Sequence, residues 1–270
     1  MEDRMDLGEW CMKENRVSFM GVPIDALTLS ETVELIIGRI ENGLHTQHVA
    51  INPAKIIRMM EDEEIRDIVH NCEVISTDGV GVFWFSKILG CPIPERVTGI
   101  ALMDSLLAQC AQKGLKPYFL GATEDVLEKA VAHYQQKYPQ LEFAGYRNGY
   151  FSSAEEETIA EDIGSSGASM LFVAISSPKK EQFLGRWRHK IDIPYVMGVG
   201  GSFDVVAGKV QRAPVWMQRL GLEWSYRWIQ EPKRMAHRNL VDTPKFVALA
   251  LIAKYTGLEV PSGHKESERA

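Results

Sequence analysis

The sequence predicts an α/β fold in which a mostly parallel sheet has helices on both faces, followed by a C-terminal helical appendage. First, short apolar runs alternate with longer amphipathic segments, as where Pro117–Gly121 precedes Asp125–Tyr138. Second, Gly, Asp or Pro follows most of these runs, which is typical of strand-to-helix turns. Third, a basic, tryptophan-rich segment after residue 208 breaks the alternation. Repeated strand–helix units of this length imply parallel strands joined by crossover helices.

The elements follow in order along the chain. The predicted strands are Arg16–Ile24, His48–Asn52, Glu73–Thr77, Pro117–Gly121, Glu142–Gly145, Met170–Ile175 and Tyr195–Gly200. The predicted helices are Thr32–Ile40, 53–72, Val82–Leu89, Asp125–Tyr138, Ala154–Ser165, Pro178–His189 and Phe203–Ala207. Ser30 can cap the first helix, and Pro53 suits the first turn of the second. Because ligands of such sheets bind at the carboxyl ends of strands, the residues that follow the strands are the site candidates.

The 270 residues are predicted to divide into four segments. A flexible leader covers 1–16, the α/β core covers 17–208, and the helical appendage covers 209–258. The polar residues 259–270 are predicted to be a disordered tail.

Charge is distributed unevenly along the chain. The formal net charge is −6, which argues against a general nucleic-acid binder. Residues 209–238 nevertheless hold seven Lys or Arg and two Glu, so this segment carries +5 and the rest carries −11. The asymmetry predicts one basic surface with an anionic target, either a phosphate group or a membrane.

Cysteine usage and hydropathy give an expected location. The four cysteines show no paired spacing, which is typical of reduced thiols. The acidic, polar start of the chain lacks the pattern of a secretory signal peptide, and no apolar run approaches the ~20 residues that span a bilayer. We therefore expect a cytosolic protein, peripheral on the inner face of the cell membrane.

A glycine-rich turn follows the last predicted strand. Gly198, Gly200 and Gly201 allow close approach of a ligand to the backbone, and a helix begins at Ser202–Asp204. A helix N-terminus offers N–H groups and a positive dipole end to an anion such as a diphosphate. The alternative is a tight strand–helix connection with no ligand.

Three other polar positions have two interpretations each. Asp78 follows the apolar run VIST and is either a base for an attacking hydroxyl or a helix cap, the cap being favoured in isolation. Arg96, in PERVTG, either binds an anion bidentately or lies in a surface turn. Lys180, at the start of a predicted helix, either reaches a phosphate or is solvated.

The appendage combines aromatic and basic residues. Trp216, Leu220, Trp224 and Trp228 recur every four residues, so they predict one aromatic stripe. A second stripe of basic side chains contains Arg212, Arg219, Arg227 and Arg234. The pattern suits a lipid headgroup region, and it equally suits a helix packed on the core with solvated arginines.

The sequence also excludes several kinds of site. It has no H-E-x-x-H, D-x-D or cysteine cluster, so we expect no metal site. It has no G-x-S-x-G motif and no P-loop, which weakens hydrolase and NTPase hypotheses.

Several blocks together resemble the WecG/TagA/CpsF glycosyltransferases. They are INPAKI, STDGVGVFWFSKILG with PERVTG, SSPKKEQF, and GVGGSFDVVAGKVQRAPVWMQRLGLEWSYRWIQEP, within residues 17–254. The resemblance implies a Rossmann-like domain with a membrane-docking appendage. It also implies inverting, metal-independent transfer of a sugar from a UDP-sugar to an undecaprenyl-diphosphate-linked sugar. The UDP-sugar is then a substrate, and no cofactor is expected.

The resemblance also implies roles for individual residues. Asp78 matches the catalytic base, which reverses the preference for a cap, and Arg96 matches an active-site arginine. Nucleotide-sugar pocket positions are Asn52, Gly149, Tyr150, Lys180, Gly200, Gly201 and Asp204. Arg227 and Arg234 match arginines that meet the lipid diphosphate, and Arg212, Arg219, Trp224 and Trp228 complete the expected lipid and membrane surface.

Two departures from the family pattern leave the donor and the acceptor open. Ala50 stands where Thr is frequent, and Lys180 stands where Gln is frequent. A rival hypothesis is a non-catalytic nucleotide-sugar-binding module recruited to membranes, which would bind UDP without turnover. An oxidoreductase is disfavoured because the first strand is not followed by G-x-G-x-x-G. The sequence leaves open the polysaccharide pathway and whether the protein forms a homo-oligomer.

Overall fold

A computed structural model describes residues 15–257 and 259, and it confirms the predicted α/β class. Its main feature is a six-stranded parallel sheet flanked by helices, accompanied by a two-stranded antiparallel hairpin. The chain divides into two compact units. One contains the described residues up to Arg39, His48–Thr98 and the residues from His237 onward, and the other contains Ile40–Gln47 and Gly99–Ala236.

The first unit is built on a hairpin and a pair of parallel strands. Strands β1 and β2 pair antiparallel, and β3 and β4 pair parallel with Ile51 opposite Thr77. The apolar core includes Phe19, Ile51 and Phe246, all fully buried. The elements are β1 Arg16–Phe19, β2 Val22–Asp25, α1 Leu29–Glu41, β3 Thr46–Ile51, α2 Pro53–Glu61, α3 Glu63–His70, β4 Val74–Thr77 and α4 Val80–Ile88. The C-terminal π-helical turn Arg238–Asp242 and helix α13, Thr243–Thr256, complete it.

The second unit contains four parallel strands in the order β8-β7-β5-β6. Strand β7 pairs with both β5 and β8, so its residues are buried on both faces of the sheet. The elements are α5 Gly99–Lys113, β5 Pro117–Gly121, α6 Glu124–Lys137, β6 Gly145–Arg147, α7 Glu156–Ser165, β7 Met170–Ala174, α8 Lys179–Ile191, β8 Tyr195–Gly198 and α9 Ser202–Val206. Three short helices follow: α10 Val215–Arg219, α11 Glu223–Gln230 and α12 Pro232–His237.

Three predicted elements differ from the structure. The strand predicted over Arg16–Ile24 is two strands, because Met20 and Gly21 adopt positive φ and turn the chain. The single helix predicted over 53–72 ends at Glu61, since Asp62 is extended and caps a new helix by accepting from Ile65 N–H. The strand predicted over Glu142–Gly145 lies instead at Gly145–Arg147.

The prediction of continuous stripes in the appendage is wrong in its geometry. Trp216 lies on α10, whereas Trp224 and Trp228 lie on α11. Gly221, with φ +71°, turns the chain between the two helices. The boundaries 17–208 and 209–258 stay predictions, and the leader 1–16 and the tail 259–270 fall almost wholly outside the described residues. Within the described part of the chain, no helix is both long enough and apolar enough to cross a bilayer.

Candidate active site

Two of the predicted site residues end neighbouring strands in the first unit. Ile51 and Thr77 are opposite each other in the β3–β4 pair, so Asn52 and Asp78 come next on the two strands. The N–H groups of Asp78 and Gly79 both donate to the Ile51 carbonyl, at 3.0 and 3.2 Å. These two hydrogen bonds to one carbonyl fix the turn that presents Asp78, which is half-buried.

The structure separates Asp78 from the role of helix cap. Gly79 is the N-cap of α4, and that helix start has no side-chain cap hydrogen bond. A β-carbon added at Gly79 would lie 2.6 Å from Pro53 Cδ and 2.9 Å from Asn52 Cα. Glycine is therefore needed for the two strand ends to pack closely, and the Asp78 side chain does not cap α4.

Asn52 has a structural task at the same edge. Its Oδ1 accepts a 3.0 Å hydrogen bond from Lys55 N–H and so caps α2, with Pro53 in the first turn. The side-chain amide nitrogen is the part of Asn52 that can donate to a ligand.

Arg96 lies in the segment between α4 and α5 and is half-buried. Its neighbour Glu95 accepts a 2.8 Å hydrogen bond from Leu29 N–H at the start of α1, and Ile93 and Val97 are buried. The hydrogen bond of Glu95 and the burial of Ile93 and Val97 anchor the segment before and after Arg96 in the sequence. The predicted role of Arg96 in catalysis stays a prediction.

The glycine-rich turn of the second unit connects β8 to α9. Gly200 has φ +55°, the left-handed region that glycine tolerates best. A β-carbon at Gly198 would lie 2.6 Å from Lys180 Nζ, so this ammonium lies directly over the glycine backbone. Lys180 also forms an ion pair with the buried Glu181 at 3.3 Å.

Gly201 is covered by arginines from two other helices. A β-carbon added there would lie 2.6 Å from Arg227 Nη2, 3.7 Å from Arg234 Nη2 and 3.6 Å from Asp204 Oδ2. Arg227 belongs to α11 and Arg234 to α12, so three elements meet at one turn. We call Lys180, Gly198, Gly201, Arg227 and Arg234 the cation cluster.

The N-terminus of helix α9 offers less to an anion than the sequence predicted. It has only five residues, and the Ser202 N–H already donates to the Val199 carbonyl. An anion at this turn would therefore be bound mainly by cationic side chains and not by a helix dipole.

Carboxylates hold part of the cation cluster in place. Arg234 Nη1 is 2.9 Å from Glu231 Oε1 and 3.5 Å from Asp204 Oδ2, and Lys209 Nζ is 3.5 Å from Asp204 Oδ1. Burial opposes the charge on Arg234, but the bonds and charges of Glu231 and Asp204 outweigh it and raise its pKa. Arg227 Nε is buried without a hydrogen-bond partner in the described part of the chain. A buried guanidinium N–H of this kind favours an anionic ligand.

Hydrogen bonds between Gln211 and two residues of α11 hold this helix in place beside the glycine-rich turn. Gln211 N–H donates to Gln230 Oε1 at 2.9 Å, and Gln230 Nε2 donates to the Gln211 carbonyl at 3.0 Å. The Tyr226 hydroxyl adds a 3.2 Å bond to Gln211 Oε1. These bonds orient the helix that carries Arg227.

The predicted Gly149–Tyr150 turn lies against the end of β5. Gly149 N–H donates to the Ala122 carbonyl at 2.9 Å, and a β-carbon at Gly149 would lie 2.9 Å from Gly121 Cα. Asn148 closes the turn by accepting from Tyr150 N–H at 3.1 Å. The Tyr150 ring is 76% exposed, so it is open to a ligand.

The expected membrane residues are distributed over α10 and α11. Trp216 is 60% exposed and Trp224 is 40% exposed, whereas Trp228 is half-buried. Together with the exposed Val215, Leu220 and Ile229, these two exposed tryptophans form what we call the α10–α11 patch. Arg212 Nε is 3.7 Å from Glu223 Oε1, and the Arg219 side chain lies outside the described residues.

In the described ranges, 15–257 and 259, no three His, Cys, Asp or Glu side chains are grouped so that they could hold a metal ion. Metal independence stays a prediction that needs a solution test. Cationic groups near the glycine turn include those of Lys180, Arg227, Arg234 and Lys209.

Sequence reasoning missed several residues that shape this site. Glu231, Glu181 and the pair Gln211–Gln230 were not assigned to it, although each contacts a predicted member or its helix. Glu231 stands in the EP block that carried the resemblance, which is the one sequence clue to it. The glutamine contacts join residues 19 positions apart, so no local pattern reveals them.

The chain is similar to proteins of one known family. The model of the glycosyl transferase WecG/TagA/CpsF family matches residues 17–259. An N-acetylglucosaminyldiphosphoundecaprenol N-acetyl-beta-D-mannosaminyltransferase of Bacillus spizizenii is 34% identical over 203 residues, which are 75% of this chain and 77% of the relative. A protein of the same name from Staphylococcus aureus strain MW2 is 32% identical over 224 residues, 82% of this chain and 87% of the relative. The Bacillus subtilis strain 168 protein of that name is 32% identical over 201 residues, covering 74% and 77%.

Proposed function

The chain belongs to the WecG/TagA/CpsF family of glycosyl transferases, and on that basis we propose that it moves an N-acetylhexosamine from a UDP-linked donor to an undecaprenyl-diphosphate-linked sugar. The names of the relatives support N-acetylmannosamine as the transferred sugar and N-acetylglucosamine as the acceptor sugar. Transfer of this kind belongs to the assembly of cell-surface polysaccharides on the inner face of the membrane.

The observation that carries the proposal is the convergence of Arg227 and Arg234 on Gly201. A diphosphate needs several cationic donors, and the buried, unpartnered Arg227 Nε gains one from an anion. The sequence analysis assigned both arginines to the lipid diphosphate. Their contact with the glycine turn favours the diphosphate of the donor, and Lys180 over Gly198 adds charge to the same anion.

In the proposed reaction Asp78 is the general base. Its carboxylate accepts the proton of the acceptor hydroxyl while that oxygen forms a bond to the anomeric carbon of the donor. The bond from the anomeric carbon to the phosphate oxygen breaks on the opposite face, so UDP leaves and the configuration inverts. The cation cluster stabilises the charge that develops on the leaving diphosphate, a role that preorganised donors perform without a metal ion.

The acceptor is lipid-linked, so the enzyme has to work at a membrane surface. We propose that the α10–α11 patch contacts lipid, since tryptophan rings prefer the interface between headgroups and chains. The basic residues of segment 209–238 add attraction to anionic lipids, each by about 1 kcal/mol near the surface.

A product assay tests the function. The protein is incubated with N-acetylglucosaminyl-diphosphoundecaprenol and, separately, UDP-N-acetylmannosamine, UDP-N-acetylglucosamine or UDP-glucose, and the lipid product is identified by mass spectrometry. We expect extension of the lipid by one N-acetylhexosamine. UDP binding without any extended product from the panel would favour the non-catalytic module instead.

The Arg227→Ala/Arg234→Ala variant tests the assignment of the arginines. We expect the KM for the UDP-sugar to rise more than the KM for the lipid acceptor. A larger rise in the KM for the lipid acceptor would instead indicate that the arginines bind the lipid diphosphate, as the sequence predicted.

A further inference from the structure

Two side chains at the end of helix α11 hold buried polar atoms that have no hydrogen-bond partner among residues 15–257 and 259. They are Arg227 Nε, a donor, and Glu231 Oε2, an acceptor. Glu231 directly follows α11, and its N–H donates to the Arg227 carbonyl at 2.9 Å, so the two side chains lie one helical turn apart on one face. Opposite charges at this spacing attract each other. These two atoms nevertheless form no hydrogen bond with one another.

Other groups hold the two side chains apart. A β-carbon at Gly201 would lie 2.6 Å from Arg227 Nη2, so the guanidinium points to the glycine-rich turn. Glu231 Oε1 is 2.9 Å from Arg234 Nη1, which leaves Oε2 as the oxygen without a donor. The Arg234 side chain is 55% exposed and that of Glu231 is 21% exposed. Arg234 can therefore move toward an anion at Gly201, and this movement uncovers the Glu231 carboxylate.

The pair of atoms indicates the chemistry of a ligand that satisfies both. Arg227 Nε requires an acceptor, for which an anion is the best match, whereas an ionised carboxylate oxygen only accepts and requires an N–H or O–H. Side chains four residues apart have their β-carbons about 5–6 Å apart, so one ligand has to bring the anion and the donor close together. A carboxylate beside a bare diphosphate would only repel it. A diphosphate esterified to a sugar ring, however, places hydroxyl groups next to the anion.

We propose that Glu231 Oε2 accepts a hydrogen bond from a hydroxyl of a sugar ring attached to the diphosphate at Arg227, and so selects the diphosphate ester that binds. This assignment rests on the proposed function, because it places the donor diphosphate at the cation cluster. A UDP-sugar has two such rings, the ribose of the nucleoside and the transferred hexosamine. Both supply the same hydroxyl chemistry, and Glu231 is then a specificity-determining residue in addition to a partner of Arg234.

Calorimetric titration of three ligands in the absence of acceptor tests the assignment. The ligands are inorganic diphosphate, UDP and UDP-N-acetylmannosamine, and the variant is Glu231→Ala. The matched control is Glu223→Ala on the same helix, since the Glu223 side chain is 20% exposed and lies 3.7 Å from Arg212 Nε. Because a hydrogen bond to a charged oxygen is lost, we expect the Kd for the UDP-sugar to rise about 10-fold more than the Kd for diphosphate. The control should change both affinities equally or not at all.

Deoxy nucleotides identify the ring. If the ribose supplies the hydroxyl, UDP also binds Glu231→Ala about 10-fold more weakly, and either 2′-deoxy-UDP or 3′-deoxy-UDP binds wild type and variant alike. If the hexosamine supplies it, only the UDP-sugar loses affinity, and both deoxy nucleotides bind wild type as UDP does. Either result supports the assignment, and the deoxy series on wild type needs no altered protein.

The outcome for diphosphate separates this role from the support of Arg234. An equal loss of affinity for all three ligands, or no loss for any, overturns the assignment of Glu231. In Glu231→Gln the amide oxygen still accepts a hydrogen bond, so we expect a smaller loss for the UDP-sugar than in Glu231→Ala; equal losses in the two folded variants would contradict the acceptor role. A wild type that does not bind UDP overturns the proposed function together with this assignment. Normal UDP-sugar binding by Glu231→Ala overturns the assignment alone.

Discussion

Replacing Gly201 with alanine tests the cation cluster by adding one methyl group. Gly201 has φ −87°, which any residue adopts, so the backbone is not strained by the change. The new β-carbon would lie 2.6 Å from Arg227 Nη2, and the guanidinium has to retreat by about 0.8 Å to reach ordinary contact at 3.4 Å. Because the end of an arginine side chain moves easily, we expect the melting temperature to stay near that of the wild type.

The displaced guanidinium is expected to weaken UDP binding. A hydrogen bond to a charged group contributes about 1.5–3 kcal/mol, and about 1.4 kcal/mol corresponds to a tenfold change in affinity. We therefore expect the Kd for UDP, measured by isothermal titration calorimetry, to rise about 10- to 100-fold in Gly201→Ala.

Two controls isolate the effect on Arg227. Gly38→Ala makes the same change where nothing lies within 4 Å of the added carbon, and it should leave UDP affinity unchanged. In an Arg227→Ala background, Gly201→Ala should cause little further loss, because the displaced group is already gone. Unchanged UDP affinity in Gly201→Ala, or a full further loss in that background, would refute the role of Arg227 at the donor diphosphate.

Two further predictions concern metal and pH. Glycosyl transfer should survive saturating EDTA, since cationic side chains take the place of a metal ion; loss of activity that Mg²⁺ or Mn²⁺ restores would show a missed metal site. Burial lowers the pKa of His48 from 6.5 to about 3. Between pH 6.5 and pH 3 this histidine is therefore protonated in the unfolded state and neutral in the folded state. The free energy of unfolding decreases as the pH falls below 6.5 for this reason. Relative to His48→Gln, the free energy of unfolding of the wild type should decrease by about 2 kcal/mol between pH 6.5 and pH 5, measured by urea titration. The exposed His237, replaced by Gln, is the control, and an equal difference between wild type and His48→Gln at both pH values would contradict the burial argument.

The sequence predicted strands well where both faces of the strand are buried. Pro117–Gly121 is found with the same bounds, and Met170–Ile175 differs from β7 by one residue. Central parallel strands are near-continuous apolar runs, so their pattern is unambiguous. Strand β6 was misplaced because it is short and the Tyr146 ring on it is exposed, which leaves no apolar run to detect.

The family was predicted from the motifs, and the family model confirms it. Within the candidate site, Asp78 and Gly201 were selected because Asp78 follows β4 directly and Gly201 lies in the turn after β8, and strand ends are where ligands bind. The partners of Gly201 were not predictable in the same way. Arg227 and Arg234 reach it from two helices, and the periodicity that suggested one continuous stripe cannot reveal the turn at Gly221.

The C-terminal helix shows a second limit of pattern reasoning. Its apolar residues suggested only an appendage, whereas Phe246 is fully buried in the core of the first unit. Deleting the chain from about Pro214 onward would therefore remove part of that core as well. Point substitutions on exposed side chains are the sounder test of membrane contact.

The most direct test of the proposed mechanism is the transfer rate of Asp78→Asn. If the Asp78 carboxylate deprotonates the acceptor hydroxyl, turnover should fall about 10²- to 10⁴-fold, the usual contribution of a general base. UDP affinity measured by calorimetry and the melting temperature should both stay near the wild-type values. Near-normal transfer by Asp78→Asn to the same lipid product would contradict the assignment of Asp78 as the base.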